Sequence, residues 1–253
     1  MATREEDYVE SVFPASTHDF ILFFSSRGQV YVRKGYQIPE AGRSARGTNI
    51  VNILPLEPEE KISAMLRGKG LQEDDFIMFF TKNGVTKRMS QLELRNVRKN
   101  GIRALDIREG DELVQALTTH GSEKLLVVTR GGMAIRFSET DVRVMGRVSM
   151  GVKSIELAEG DEVVAMSIVE EGEQVLSITR NGFGKRTEID EYRVQSRGGK
   201  GIKAMNLTEK TGLLAGQLLV DEDEDILLIT DDGTVIRTPV SSISTHGRNT
   251  QGV

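Results

Sequence analysis

A repeat of about fifty residues runs through this chain and constrains its fold more than any other feature of the sequence. Five segments share an apolar run, a turn ending in glycine and a second run ending in basic residues: Phe20 to Arg33, Phe76 to Arg88, Lys124 to Arg136, Gln174 to Arg186 and Asp225 to Arg237. The turn glycines, from Gly28 to Gly233, follow one another at intervals of 56, 48, 50 and 51 residues. Such a period is too long for an array of helical hairpins and is typical of a propeller blade.

Each of the five segments predicts a β-hairpin. Asn-Gly and Asp-Gly pairs, as at Asn83-Gly84 and Asp232-Gly233, favour two-residue turns between β-rich runs. First arms such as Leu125 to Val128 are continuously apolar, which indicates strands buried on both faces. A buried helix is the alternative, but these runs are short, β-branched and flanked by turns. We therefore expect an all-β protein.

A polar loop that closes on glycine follows every hairpin, at Gly47, Gly101, Gly151, Gly201 and Gly252. After it the sequence predicts a second strand pair around an acidic turn, as from Ala104 to Ala116 and from Ser154 to Met166. Each repeat then has four strands, and such units favour radial stacking in a ring. Because the sequence contains no linker rich in Pro, Gly or Ser, we expect one domain over residues 1–253. The N-terminal strand (1–16) is expected to complete the last repeat.

Composition excludes several other classes of protein. The chain has no cysteine, and its histidines, His18, His120 and His246, are far apart, so we predict no metal site and no cofactor. The N-terminus lacks the basic start and apolar run of a secretory signal, and the sequence has no apolar stretch long enough to span a membrane. We expect a soluble cytoplasmic protein without membrane contact.

Charge alternates along the repeat although the formal net charge is −5. Between residues 174 and 203 seven cations accompany three acids, whereas between residues 204 and 225 Lys210 is the one cation. If the repeats stack in one orientation, corresponding basic loops form a belt and the acidic turns gather elsewhere. An aromatic content of 5% without tryptophan argues against base stacking on single strands. A belt of cations instead suits duplex DNA held through its phosphates without sequence readout.

The loop from Gln195 to Gly201 is the strongest of these basic loops. Its sequence, Gln-Ser-Arg-Gly-Gly-Lys-Gly, combines two cations with three glycines, which let the backbone approach a phosphate closely. It does not match the nucleotide-binding P-loop, in which Ser or Thr follows Gly-Lys. The sequence shows no set of nucleophile, base and orienting group, so we predict that this chain is not an enzyme by itself. A propeller that binds other proteins is the alternative, although the polarised charge and missing tryptophan argue against it.

The same seven residues resemble the box Gln-Arg-Arg-Gly-Gly-Lys-Gly found in C-terminal domains of the DNA gyrase A subunit. Further stretches look characteristic of that family: Glu5 to Glu10, Ala15 to Phe20, Gly35 to Gly42 and Gly247 to Val253. The resemblance spans essentially the whole chain. There are two departures: Ser196 replaces the arginine at the second position of the box, and five hairpins are present where the family usually has six blades.

The resemblance implies a β-pinwheel, a propeller-like ring whose blades exchange strands, with duplex DNA wrapped in a positive sense on its basic perimeter. It also implies two partners: the N-terminal part of the gyrase A subunit, which holds the DNA-cleaving tyrosine, and the gyrase B subunit, which binds ATP. Together they would introduce negative supercoils in the nucleoid of a bacterial cell. The equivalent domain of topoisomerase IV, which typically lacks an intact box, is the alternative within this family.

The candidate DNA-binding residues are the 195–201 loop and the cations in phase with it along the repeat. They are Gln195, Arg197, Gly198, Gly199, Lys200, Gly201, Lys203, Arg43, Arg46, Lys87, Arg88, Arg98, Lys99, Arg103, Arg136, Arg147, Lys153, Lys185, Arg186, Arg237 and Arg248. In-phase recurrence carries this prediction, because any single Lys or Arg is more often an ordinary solvated charge.

Overall fold

The computed structural model describes residues 11–42, 45–68, 75–230 and 234–253. Regular structure in these ranges is β, apart from short 3₁₀ helices, which confirms the predicted fold class. The strands are β1 (Phe20–Ser25), β2 (Gln29–Lys34), β3 (Ile62–Gly68), β4 (Phe76–Thr81), β5 (Val85–Ser90), β6 (Ile102–Arg103), β7 (Leu113–Thr119), β8 (Lys124–Thr129), β9 (Met133–Ser138), β10 (Val152–Lys153), β11 (Val163–Val169), β12 (Gln174–Thr179), β13 (Gly184–Glu188), β14 (Ile202–Lys203), β15 (Leu214–Val220), β16 (Asp225–Ile229) and β17 (Val235–Pro239). The 3₁₀ helices span Gly35–Gln37, Ile50–Asn52, Gln91–Leu94, Glu139–Asp141, Ile189–Glu191 and Val240–Ser242.

The five predicted hairpins are present, and each forms the centre of a blade, numbered 1 to 5 along the chain. They pair β1 with β2, β4 with β5, β8 with β9, β12 with β13 and β16 with β17, all antiparallel. The turn glycines of blades 1 to 4 have positive φ, as at Gly84 (+79°), a conformation that glycine adopts without steric cost. The apolar first strands are buried as predicted; β4, for example, is buried over its last five residues. The turn at Asp232-Gly233 lies outside the described residues.

In repeats 2, 3 and 4 two strands follow the hairpin along the chain and do not pair with each other, so the predicted second strand pair is wrong. In the second repeat β6 joins β2 of blade 1, whereas β7 joins β4 of blade 2. The sheet orders are β3-β1-β2-β6, β10-β5-β4-β7 and β11-β8-β9-β14. Each of these blades therefore receives one edge strand (β6, β10 or β14) from the next repeat. The reason is the open edge of the hairpin, whose N–H and C=O groups are satisfied by the incoming strand.

Contacts between blades show which edge of each sheet faces the common axis. Strand β3 packs against β7, β7 against β11, and β11 against β15. These strands lie at one edge of their sheets, whereas β6, β10 and β14 lie at the opposite edge. The first set therefore surrounds the axis and the second set forms the outer edge of the blades. At the outer edge of blade 4, Gly184 and Val253 exchange two backbone hydrogen bonds of 2.8 and 3.0 Å.

Apolar side chains fill the spaces between successive blades. Between blades 1 and 2, Leu22 and Phe24 pack against Ile77 and Phe79, and the two phenylalanine rings meet edge to face with centroids 5.4 Å apart. Burying a side chain of this kind contributes about 1.5–3 kcal/mol. Equivalent clusters lie between blades 2 and 3 and between blades 3 and 4. This packing fixes the orientation of each blade relative to the next, and with it the spacing of the outer edges.

Blade 5 differs from the others, because within the described residues its sheet consists of β16 and β17 alone. Its Leu227 and Ile236 are 61% and 50% exposed. The residues at the same positions in blade 3, Leu126 and Ile135, are fully buried. The sequence predicts that residues 1–16 complete this repeat. Residues 1–10 lie outside the described part of the chain, which begins at residue 11.

Candidate nucleic-acid interface

Four of the glycine-closed loops lie along the outer edges of blades 1 to 4, as the belt prediction requires; they close on Gly101, Gly151, Gly201 and Gly252. The loop that closes on Gly47 lies partly outside the described residues. The loop 195–201 runs along β9, where the Gln195 amide donates to the Arg136 carbonyl at 2.7 Å, and it continues into β14. Gly201 has a φ of +71°, and a Cβ at this position would lie 2.3 Å from the Ala134 carbonyl oxygen. Gly151 meets the Thr86 carbonyl oxygen in the same way at 2.4 Å. These glycines therefore serve the close approach of the loop to the blade.

One exposed cation stands at the second position of each short outer strand. These are Arg103 in β6, Lys153 in β10 and Lys203 in β14, here named the outer-strand cations. Arg103 forms an ion pair with Asp106 at 3.2 Å. Neither lysine ammonium has a hydrogen-bond or ion-pair partner in the described part of the chain. Both lysines are therefore available to a polyanion.

Other predicted cations are also exposed at or near these loops. Arg46, Arg98, Lys99 and Lys200 are exposed, and Lys200 has no polar side-chain partner among residues with described positions. Some of their counterparts carry local counter-charges: Arg147 lies 3.6 Å from Glu93, and Arg237 pairs with Asp225. Arg43 lies outside the described residues.

The 195–201 loop is bound to the preceding repeat as well as to its own blade. The Gly198 amide donates to the Ser154 carbonyl at 2.6 Å, and the Glu156 amide donates to the Gly199 carbonyl at 2.8 Å. Gly198 has a φ of +82°, and a Cβ at this position would lie 3.5 Å from the Lys153 carbonyl oxygen. This loop thus spans the gap between the outer edges of blades 2 and 3.

Two lysines among the candidates are fully buried, and this corrects their predicted role as DNA contacts. The ammonium of Lys87 donates to the carbonyls of Ala104 (2.7 Å) and Arg147 (2.6 Å). The ammonium of Lys185 donates to the carbonyls of Gly247 (2.9 Å) and Arg248. Both lysines are 0% exposed, so a phosphate cannot reach them. Burial lowers the pKa of each lysine to about 8.

Three arginines in the second hairpin strands of blades 2, 3 and 4 are also buried, and two of them directly follow the buried lysines. Arg88 lies 3.2 Å from the buried Glu139 carboxylate, and Arg136 donates to the Tyr192 carbonyl at 3.2 Å. Arg186 donates to the carbonyl of Ile243 at 2.6 Å and to a side-chain oxygen of Gln174. Their guanidinium groups fasten one blade to the 3₁₀ segment of the next repeat, which removes them from the interface. Lys87, Arg88, Arg136, Lys185 and Arg186 are together named the strand cations.

The acidic turns lie at the hairpin turns and not among the outer loops. A carboxylate oxygen of Asp111 accepts from the Asn83 amide at 2.9 Å, and Asp161 accepts from the Gly131 amide at 2.8 Å. Glu162 forms ion pairs with Lys82 (3.2 Å) and Arg130 (2.6 Å), which belong to two different blades. The hydrogen bond with Glu162 raises the pKa of Lys82. The sequence analysis did not predict this pairing. The signal was present, because Lys82 and Arg130 occupy the same position in successive repeats, two residues before the turn glycine.

Two predicted absences can be compared with the described residues. These residues bring together no group of three His, Asp or Glu side chains that could hold a metal ion. No helix in the same ranges has the length and apolar character needed to cross a bilayer.

Comparison with known sequences gives several related proteins. The family model described as DNA gyrase C-terminal domain, beta-propeller, matches residues 19–69, 75–120, 123–170, 173–219 and 224–253. The DNA gyrase A subunit of Halalkalibacterium halodurans is 53% identical over 253 residues, which are 100% of this chain and 30% of that protein. The DNA gyrase A subunit of Salmonella typhimurium is 44% identical over 250 residues, which are 99% of this chain and 28% of that protein. The chain thus spans about a third or less of the length of these relatives.

Two solved structures have the same fold. A structure of a DNA gyrase A C-terminal domain matches with a TM-score of 0.83 and 26% identity, covering 94% of this chain and 78% of that one. The C-terminal domain of DNA topoisomerase IV matches with a TM-score of 0.88 and 23% identity, covering 100% of this chain and 79% of that one. The second likeness concerns the fold alone. Together with the exchanged strands, these likenesses confirm the predicted β-pinwheel.

Proposed function

The chain belongs to the family of DNA gyrase C-terminal domains, and we propose that it wraps double-stranded DNA around the outer edges of its blades. The observation that carries this proposal is the recurrence of the outer-strand cations. Arg103, Lys153 and Lys203 occupy the same position of β6, β10 and β14, one on each of three successive blades. All three side chains are exposed, whereas the acidic turns lie at the hairpin turns.

A row of single cations at blade spacing suits a phosphate backbone better than base edges. Each cation can neutralise one phosphate without reading sequence, so the proposed binding is sequence-independent. Arg98, Lys99 and Lys200 on the adjoining loops add further charge to the same edge.

The curvature of the outer edge supplies the bend. Smoothly bending a site of 20–30 base pairs by 40–90° costs about 1–6 kcal/mol, so the contacts must be distributed over several blades. A set of blades in which each outer strand presents a cation distributes them in this way. We propose a wrap of positive sense, as the family resemblance implies, so that strand passage elsewhere in the enzyme yields negative supercoils.

The proposed wrapping is a non-catalytic contribution to a larger topoisomerase. The chain would act beside the N-terminal part of the gyrase A subunit, which cleaves DNA, and with the gyrase B subunit, which hydrolyses ATP, in a bacterial cytoplasm close to the nucleoid. The proposed function of the chain itself is to hold and bend the DNA segment.

Duplex binding measured against salt concentration tests the electrostatic part of this proposal. Each neutralised phosphate contributes about −0.9 to the slope of log K against log salt. Three outer-strand cations alone therefore predict a slope steeper than about −2, with further contributions from the adjoining loops. A slope near zero would overturn the proposal.

A topological assay tests the wrapping part. Nicked circular DNA is ligated with the chain bound, and the linking number is compared with that of circles closed without it. Wrapping in a positive sense shifts the topoisomers to positive linking difference in proportion to bound chain. Salt-dependent binding without any shift would mean that the chain holds DNA without wrapping it.

A further inference from the structure

Two arginines occupy equivalent places in successive outer loops, four residues before Gly201 and Gly252. Arg197 donates through Nε to the Asp141 carbonyl at 2.9 Å and through Nη1 to the Lys153 carbonyl at 3.0 Å. Arg248 donates through Nη1 to the carbonyl of Lys203. In both cases the acceptor is the main chain of the preceding outer-strand cation.

These hydrogen bonds run between blades. Lys153 belongs to β10 at the outer edge of blade 2, whereas the loop that contains Arg197 lies along β9 of blade 3. Arg248 repeats the arrangement one blade further, because its loop lies along β13 of blade 4 and Lys203 belongs to blade 3. Each arginine therefore ties one outer edge to the next.

The gap between blades 1 and 2 is bridged by a different cation. Arg147 has the equivalent place in the loop of blade 2, but its guanidinium lies 3.6 Å from Glu93. There the buried Lys87 donates both to Ala104, directly after β6, and to the main chain of Arg147. Each of the three gaps between blades 1 and 4 thus contains a cation that donates to main-chain carbonyls of a neighbouring outer strand or loop.

We propose that Arg197 and Arg248 are positioning residues, which fix the spacing of Lys153 and Lys203 along the DNA path, and that neither is itself a phosphate ligand. This inference rests on the proposed function. The Arg197 guanidinium is held in one plane by its two hydrogen bonds to carbonyls, and both arginines are partly buried, so the protein fixes the direction of the donors that remain. The exposed lysine, by contrast, keeps its ammonium in solvent while its backbone is held.

Charge and spacing can be separated experimentally, because they enter different observables. The salt slope counts neutralised phosphates, whereas the linking-number shift depends on the path of the DNA. Removing a phosphate ligand changes both. Removing a positioning residue changes the path and leaves the slope unchanged.

The experiment compares Arg197→Ala, Arg248→Ala and Lys153→Ala in the two assays. For both arginine variants we expect a salt slope within about 0.3 of the unmodified chain and a reduced linking-number shift per bound chain. For Lys153→Ala we expect the slope to become shallower by about 0.9. Arg108→Ala, an exposed arginine on the acidic turn after β6, is the matched control and should change neither quantity.

A lysine at position 197 separates charge from geometry. Arg197→Lys keeps the positive charge but cannot make the two hydrogen bonds of the planar guanidinium in the same geometry. We expect it to retain the slope and still to lose linking-number shift. It also serves if Arg197→Ala proves too unstable to assay, because the longer side chain keeps its apolar stem. Thermal melting of every variant verifies that folded chains are compared.

Three results would overturn the inference. They are a loss of about 0.9 in slope for Arg197→Ala or Arg248→Ala, a full linking-number shift in either alanine variant, and full restoration of the shift by Arg197→Lys. None of them concerns the proposed function, which is tested on the unmodified chain. If that chain shows no salt-dependent binding, the function fails first; if it binds and wraps, the variants decide on positioning alone.

Discussion

The strand cations and the outer-strand cations recur with the same period and have opposite fates. Lys87 and Lys185 lie in the second strand of their hairpins, are 0% exposed and donate to main-chain carbonyls. Lys153 and Lys203 lie in the two-residue outer strands and are exposed. A repeated position in the sequence therefore establishes a repeated environment, and the environment decides whether the charge serves the fold or a ligand.

The largest effect expected from breaking this contrast comes from Arg88, a strand cation paired with a buried acid. In Arg88→Met, Glu139 keeps its place at 0% exposure but loses its cation at 3.2 Å. Leaving one partner of a buried pair unmatched costs about 3–5 kcal/mol of unfolding free energy, which urea denaturation measures. Because burial raises the pKa of Glu139, the loss should shrink as the pH is lowered and this carboxylate takes up a proton. Arg108→Met is the control; a loss below about 1 kcal/mol in Arg88→Met would contradict the buried pair.

A smaller loss is expected for a buried lysine without an acidic partner. Lys185→Met removes the donor from the carbonyls of Gly247 and Arg248 while preserving most of the apolar stem. Leaving buried acceptors unsatisfied costs about 1–3 kcal/mol. The salt slope of DNA binding should stay unchanged, because the ammonium is not at the surface. A slope shallower by about 0.9 would instead return Lys185 to the interface.

The buried lysines also predict a dependence of stability on pH. Burial lowers the pKa of Lys87 and Lys185 to about 8, well below the value of an unfolded chain. Above that pH the unfolded chain binds more protons at these positions than the folded chain, so they raise the unfolding free energy as the pH increases. From pH 8 to 9 the gain is about 1 kcal/mol per lysine at most. It is measured as the difference between the unmodified chain and Lys87→Met; equal pH profiles would contradict it.

The smallest effect on stability is expected for the outer-strand cations. The double variant Lys153→Ala with Lys203→Ala should change the unfolding free energy by about 0.5 kcal/mol or less, because both side chains are exposed. The same variant should make the salt slope shallower by about 1.8, corresponding to two phosphates. Stability and DNA binding would then be affected by separate sets of residues. A large loss of stability without a change in slope would reverse the assignment.

The sequence predicts the local elements of this fold well because their signals are local. The Asn83-Gly84 turn and the apolar run from Phe76 to Phe80 together determine a hairpin, and β4 and β5 follow them. A two-residue strand such as Ile102–Arg103 has no comparable signal. Its structure depends on an open edge contributed by another repeat, which the spacing of glycines indicates only as a loop.

The site could be predicted in its general position but not residue by residue. The recurrence of basic residues after each hairpin located the outer edge, and Lys153 and Lys203 are exposed there. The recurrence could not show that Arg88 is buried and Arg103 exposed, because the burial of a cation in a strand depends on how the neighbouring blade packs. The register gives a partial signal: Arg88 lies opposite the buried Met78 in the hairpin, which places it where the next blade packs.

The exchange of strands has a consequence for the order in which the chain is made. Synthesis on the ribosome delivers the hairpin of blade 1 long before Ile102 and Arg103, which complete its outer edge. During synthesis, blades 1, 2 and 3 therefore each keep an exposed strand edge until the following repeat emerges. Such edges can pair with other chains. The growing protein completes its blades one repeat behind the ribosome, so a pause in translation within a repeat leaves the preceding blade open.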